Sequence, residues 1–205
     1  MLLNSDKVMS GGFNESEKAE IDLDKKLSVA FIGYARYDVV MNRSMMTFKR
    51  WNDRPLLPAQ VNWLITSFKV DGVNRFKASN TIPLVISKKY LVSNSYGDDG
   101  NTMEDLKEMR LTDDGKKMTQ DGKSIIYVAS GQHRIVALSQ YQTYLEKVKS
   151  ESMKYRKRLE KKSLDDIDDM EIDQENQVDK PMRDAIDGSL AFKGQWIVAI
   201  YDYSE

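Results

Sequence analysis

Apolar positions along this chain switch between two periods, and the switches mark its elements. The run KLSVAFIGYARYDVVM, residues 26–41, is dense in Val, Ile, Phe and Tyr and predicts a strand or strand pair broken near Gly33. Pro58 suits a first helical position, and Val61, Leu64, Ile65 and Phe68 follow at i, i+3, i+4 and i+7. That is one apolar stripe of an amphipathic helix, with Gly72 as its stop. The run NTIPLVISKKYLV, Asn80 to Val92, predicts a strand bounded or kinked at Pro83. SIIYVA, Ser124 to Ala129, predicts a short buried strand. After it Ile135, Leu138, Gln142, Leu145 and Val148 continue a helical stripe, prolonged by the polar SESMKYRKRLEKK. GQWIVAIYDY, residues 194–203, predicts a closing strand.

Between these elements the pattern lapses. Residues 1–26 are polar with mixed charge and predict a mobile arm, leaving residues 27–205 as the domain. Asn42 to Pro55, NRSMMTFKRWNDRP, has no period and predicts a basic structured loop. Residues 93–123 predict a loop-like insertion, with a weak helix around Met103–Met109 and turns at the Asp-Gly steps of TDDGKKMTQDGK. LDDIDDMEIDQENQVDKP predicts an acidic, solvated linker over about residues 163–190. The order of elements is that of a mixed α/β (α+β) domain, a small mixed sheet with helices.

Composition narrows the chemistry. With 205 residues the chain is long enough to bury a core. A formal net charge of −1 argues against a wholly basic nucleic-acid binder. Zero cysteines exclude disulfides and thiolate chemistry, and a single histidine leaves no side-chain cluster for a metal. No apolar run approaches the roughly 20 residues of a membrane span. The first residues lack the apolar core of a signal peptide, so an intracellular location, cytoplasmic or nuclear, is expected.

The single histidine, His133, stands in Ser130-Gly131-Gln132-His133-Arg134, where the predicted strand turns into the predicted helix. The start of a helix carries unpaired N–H groups and the positive end of the helix dipole, a ready anion site. Gly131 lets a phosphate approach the backbone, and Ser130 can cap the helix or bond an oxygen. Arg134 can grip phosphate through two parallel hydrogen bonds, His133 can donate or carry a proton, and Gln132 does not repel an anion. The competing reading makes the same residues a helix cap or a solvated face.

The segment IIYVASGQHRIVALSQY resembles the signature of the ParB/sulfiredoxin-like superfamily, in which a strand runs into Gly-x-(His/Arg)-Arg at a helix start. A small residue follows soon after, here Ala137. LPAQVNWLITSFKVDGVNRF resembles the first helix of that family, TIPLVIS its Pro-containing strand, and GQWIVAIYD its closing strand. The resemblance covers roughly residues 27–92, 124–150 and 194–203, and only the Gly-Gln-His-Arg box is specific. It implies a compact α/β domain that binds the phosphates of a nucleotide (CTP, ATP or ADP, with Mg2+) through Ser130, Gly131, Gln132, His133 and Arg134. Asn42, Arg43 and Arg54 lie where the family adds phosphate contacts. Gln132 stands where sulfiredoxins have cysteine, which excludes sulfinic-acid reduction, and where partition proteins have glutamate. The related Asp-Gly-Gln-His-Arg domains of DNA modification systems have aspartate at the position of Ser130. A helix-turn-helix domain like that of partition proteins is not present in these residues, which argues against DNA binding by this chain alone.

Asp98, Asp99, Asp113, Asp114 and Asp121 are carboxylates better explained as turn formers than as a catalytic base. The leading reading is therefore a nucleotide-binding domain acting as a phosphotransferase or nucleotide hydrolase. Two readings from other classes stand beside it. One is a non-catalytic binding or interaction module with a protein partner; the other is a DNA-associated, nuclease-like protein.

Overall fold

The computed structural model describes residues 25–26, 28–48, 54–98, 106–159 and 180–203 of the chain. The elements run β1 (Phe31–Asp38), β2 (Met46–Thr47), α1 (Pro58–Asp71), β3 (Ile82–Val85), α2 (Asp113–Gln120), β4 (Ile126–Val128), α3 (Gln132–Leu159), α4 (Lys180–Ala191) and β5 (Gln195–Tyr201). The strands form one five-stranded mixed sheet in the order β1-β5-β3-β4-β2. β5 runs antiparallel to β1 and parallel to β3, while β4 runs antiparallel to β3 and parallel to β2. The expected mixed α/β class holds. No helix among the described residues is long and apolar enough to cross a membrane.

Position in the sheet follows from the sequence of each strand. β5 carries Trp196, Ile197, Val198, Ala199 and Ile200 in succession, all buried, as a strand covered on both faces requires. β1 alternates instead, with Ala35 and Tyr37 buried and Tyr34 and Arg36 half-buried. It is continuous through Gly33, where the predicted break becomes a register shift against β5. α1 turns Val61 and Phe68 into the core, with Leu64 and Ile65 partly buried against it, and packs on α3. The Phe68 ring meets Tyr141 of α3 at 5.8 Å and Trp196 of β5 at 6.4 Å, centroid to centroid. Burial of each such large side chain contributes about 1.5–3 kcal/mol. Gly72 ends α1 at φ 74°.

Several expected lapses in pattern are folded structure. Leu106–Met109 is not helical; it bridges to β1 at Arg36 and Glu108, and Leu106, Met109 and Leu111 are buried. Residues 103–105 of the expected helix lie outside the described residues. Tyr34 exchanges backbone bonds with Gly97, and the Arg36 N–H and carbonyl bond Lys107 and Met109. This polar stretch therefore covers the outer edge of β1, which otherwise presents unpaired backbone groups.

Of the turns expected at the Asp-Gly steps of TDDGKKMTQDGK, the first, Asp114-Gly115, lies in helix α2, and the second, Asp121-Gly122, is a turn at its end with Gly122 at φ 74°. Thr112 caps it by accepting from the Gly115 N–H, and Asp113 and Asp114 occupy the first turn, where the helix dipole favours negative charge. The strand expected over Asn80–Val92 shortens to Ile82–Val85, flanked by 3-10 turns at Ala78–Asn80 and Lys88–Tyr90. Pro83 sits within it, lacking an N–H, while its carbonyl accepts from Ala129. The later part of the expected linker is helix α4, with Ile186 buried; residues 163–179 lie outside the described residues. Of the expected arm, residues 1–24 lie outside the described residues and residues 25–26 are helical.

Candidate functional site

β4 ends at Val128, and after three intervening residues α3 begins at Gln132. The hinge between them is Gly131, at φ 96° in the left-handed region. A Cβ built there comes within 3.1 Å of Cγ1 of Ile82, the first residue of β3. Glycine is thus required by its backbone angle and by a neighbouring strand, where the sequence suggested room for a phosphate. The Gly131 carbonyl accepts from the Ile135 N–H at 3.1 Å and starts the helix. The N–H groups of Gln132, His133 and Arg134 precede that first helical bond and face out of the helix start. Ser130 is exposed beside them.

The side chains of the box reach back into the fold. His133 is half-buried, and its Nε2 accepts the Leu57 N–H at 2.9 Å. Leu57 is the residue before α1, so His133 fastens the start of one helix to the start of another. With Nε2 as acceptor, the neutral ring carries its proton on Nδ1. Protonation of Nε2 would remove this acceptor. Arg134 directs Nη1 to the carbonyls of Asn80 at 3.0 Å and Thr81 at 3.5 Å, just ahead of β3. The Asn80 carbonyl also accepts from Trp196 Nε1 at 2.7 Å, and Asn80 Nδ2 donates to the Asn74 carbonyl at 2.8 Å. Asn80 thereby joins the box to the central strand and to the loop after α1. No spacing in the sequence signals this residue.

The other predicted contacts are dispersed. Asn42 donates its side-chain N–H to the Asp38 carbonyl at 2.9 Å, at the end of β1. Arg43 is exposed with its guanidinium 5.7 Å from the centre of the Phe48 ring. Arg54 is exposed three residues before Leu57, in the segment that His133 holds. Residues 49–53 of the basic loop lie outside the described residues. Thr47 and Tyr127 are paired across β2 and β4, which run parallel, so the carboxyl ends of both strands point toward the box. In open α/β sheets ligands lie beyond the carboxyl ends of parallel strands.

A nucleotide fits part of this arrangement. The free N–H groups, the Ser130 hydroxyl and the uncharged Gln132 suit phosphate oxygens, and Mg2+ would arrive on the phosphates. Arg134 brings charge, but its Nη1 is already engaged with carbonyls. Asp113 and Asp114 belong to the first turn of α2, Asp121 to its end, and Asp98 is exposed after the Gly97 bridge; Asp99 lies outside the described residues. None of the four described aspartates shares a described contact with the box. Comparison with protein-family models, with curated proteins and with solved structures returns no match.

Proposed function

We propose that this chain is a nucleotide-binding domain of ParB/sulfiredoxin-like character, seating phosphate at the start of α3. The observation that supports it most is the path of the backbone: strand β4, glycine at positive φ, then the first turn of a 28-residue helix. This places three helix-start N–H groups at the sheet end where parallel strands β2 and β4 finish. In this reading Ser130 and the N–H groups of Gln132 to Arg134 bind phosphate oxygens, and Arg134 supplies positive charge. The reading is of binding; no carboxylate is assigned to proton transfer.

A second reading has its own support. His133 and Arg134 spend hydrogen bonds on Leu57, Asn80 and Thr81, as expected of a module that retains the box to fasten helices. Calorimetric titration with CTP, ATP and ADP in magnesium separates the two, run on the wild type and on Arg134→Lys. The substitution keeps charge and a donor for the carbonyls but loses the planar fork. Nucleotide binding weakened roughly 10-fold in a folded variant supports the phosphate seat. No binding by wild type at millimolar nucleotide defeats it, and equal binding by the variant moves the site elsewhere.

A further inference from the structure

A second arginine presents a different problem. Arg75, in the loop after α1, is 3% exposed. Its Nη1 donates to the Lys193 carbonyl at 2.7 Å and its Nη2 to the Ser189 carbonyl at 3.4 Å. Those carbonyls belong to the last turn of α4 and the turn after it, where the helix dipole favours a cation. They engage two of the five guanidinium N–H groups. Among the described residues no carboxylate forms an ion pair with Arg75. Tyr141 and, after it, Asp38 act on it electrostatically without an ion pair, the Asp38 Oδ1 itself accepting from the Val40 and Met41 N–H groups. Burial pushes the guanidinium below the ordinary arginine range, as expected of a charge taken from water without full compensation.

Arg75 lines a cavity of about 230 Å³ with Val73, Phe76, Gly188, Ser189 and Phe192. At about 30 Å³ per water, that is room for roughly seven water-sized groups. The walls are two aromatic rings, Phe76 and Phe192, in edge contact at 5.6 Å, and the Arg75 guanidinium lies 5.9 Å from the Phe192 centroid. A buried, planar cation lining a small pocket beside two aromatic rings matches a planar anion with a compact apolar body.

We propose that this cavity binds a small organic carboxylate, with the carboxylate on the free N–H groups of Arg75 and its apolar body against the Phe76–Phe192 ring pair. Neither His133 nor Arg134 takes part, so the site stands apart from the phosphate seat. Carboxylate is favoured over phosphate because its two oxygens match the guanidinium fork, whereas the further anionic oxygens of phosphate would meet the Phe76 and Phe192 rings.

Gly188 provides the test. It lines the cavity, and a Cβ built on it meets nothing within 4 Å, so position 188 accepts a side chain and Gly188→Leu is expected to take up part of the space. Leucine also favours the helix more than glycine does. Calorimetric or NMR titration would use benzoate, acetate and inorganic phosphate as probes, with the melting temperature followed for each variant. Benzoate should bind wild type more tightly than acetate, with phosphate weakest. Gly188→Leu should weaken benzoate by 10-fold or more while the melting temperature holds or rises. Arg75→Lys, if folded, should weaken it roughly 10-fold, and Arg134→Lys should leave it unchanged. Absence of benzoate binding at millimolar concentration, or undiminished binding by Gly188→Leu, overturns the proposal. Phosphate binding as tightly as benzoate overturns the assignment of the ligand.

Discussion

The β4–α3 junction and the segment from Leu106 to Gln120 are both short stretches laid against the sheet, yet different forces hold them. At the junction the ties are polar. His133 accepts from Leu57, Arg134 donates to Asn80 and Thr81, and Gly131 packs on Ile82 because it has no side chain. In the Leu106 segment the anchors are apolar: Leu106, Met109 and Leu111 are buried, with backbone bonds to β1 and to Tyr90 and Val92 between them. Even polar groups on the covered strand go unpaired, since Arg36 Nε and the Tyr37 hydroxyl are buried without a hydrogen-bond partner. A junction of half-buried polar groups can change partners when a ligand arrives. A segment held by buried apolar side chains gains nothing by letting go.

The largest expected effect lies in the apolar region. Leu106→Ala should destabilise the protein by about 2–5 kcal/mol in urea unfolding, the usual range for a buried leucine. A loss under 1 kcal/mol would show that the segment is a loose addition after all. Amide exchange in residues 106–120 should accordingly approach that of the core strands, contrary to the rapid exchange that an insertion implies.

Next comes Gly131→Val, which places a branched side chain at φ 96° and against Ile82. A cost of about 1–3 kcal/mol is expected from strain alone. Nucleotide binding by this variant is therefore interpretable only beside its unfolding curve. An unchanged midpoint would mean that the turn relaxes and that the polar ties alone hold the junction.

Tyr37→Phe should have the smallest effect at neutral pH, because the hydroxyl it removes has no partner. Burial, with Asp38 adding to it, holds the Tyr37 phenol above its ordinary value in the folded state. The neutral form is therefore favoured by folding, and stability is fully present below the unfolded value of about 10. Above that pH the unfolded chain loses its proton first, and stability falls by about 1.4 kcal/mol per pH unit for this group. Tyr141 and Tyr201 are raised in the same direction, mainly by burial. Unfolding measured across alkaline pH should show a shallower decline in Tyr37→Phe; an unaltered slope would mean that the ring is hydrated.

Long apolar patterns were legible because they depend on local period alone. The stripe of Val61 to Phe68 folds as α1, and the unbroken run of Trp196 to Ile200 folds as a central strand. The strand–glycine–helix path at Gly131 was legible for the same reason. Misreadings cluster where few apolar residues sit among charges. Around Leu106 to Leu111 there is no period to read, since burial comes from pairing with a strand some 70 residues away in sequence. In α2 the first Asp-Gly step, Asp114-Gly115, is a capped first turn of helix, a distinction made by Thr112, while the second, Asp121-Gly122, is the turn it signals.

By itself the sequence determined the mixed α/β class, the two apolar helices' registers and the helix start that follows Gly131, because each is a consequence of side-chain period or of glycine's backbone freedom. Only the tertiary structure decided the partners of its polar groups. Leu57 is 76 residues from His133, Asn80 is 54 from Arg134, and the carbonyl of Lys193 is 118 from Arg75. A hydrogen bond is satisfied by whichever donor or acceptor the packed elements bring within about 3 Å. That choice is made by the sheet order and the packing of α1 on α3, and no local spacing encodes it.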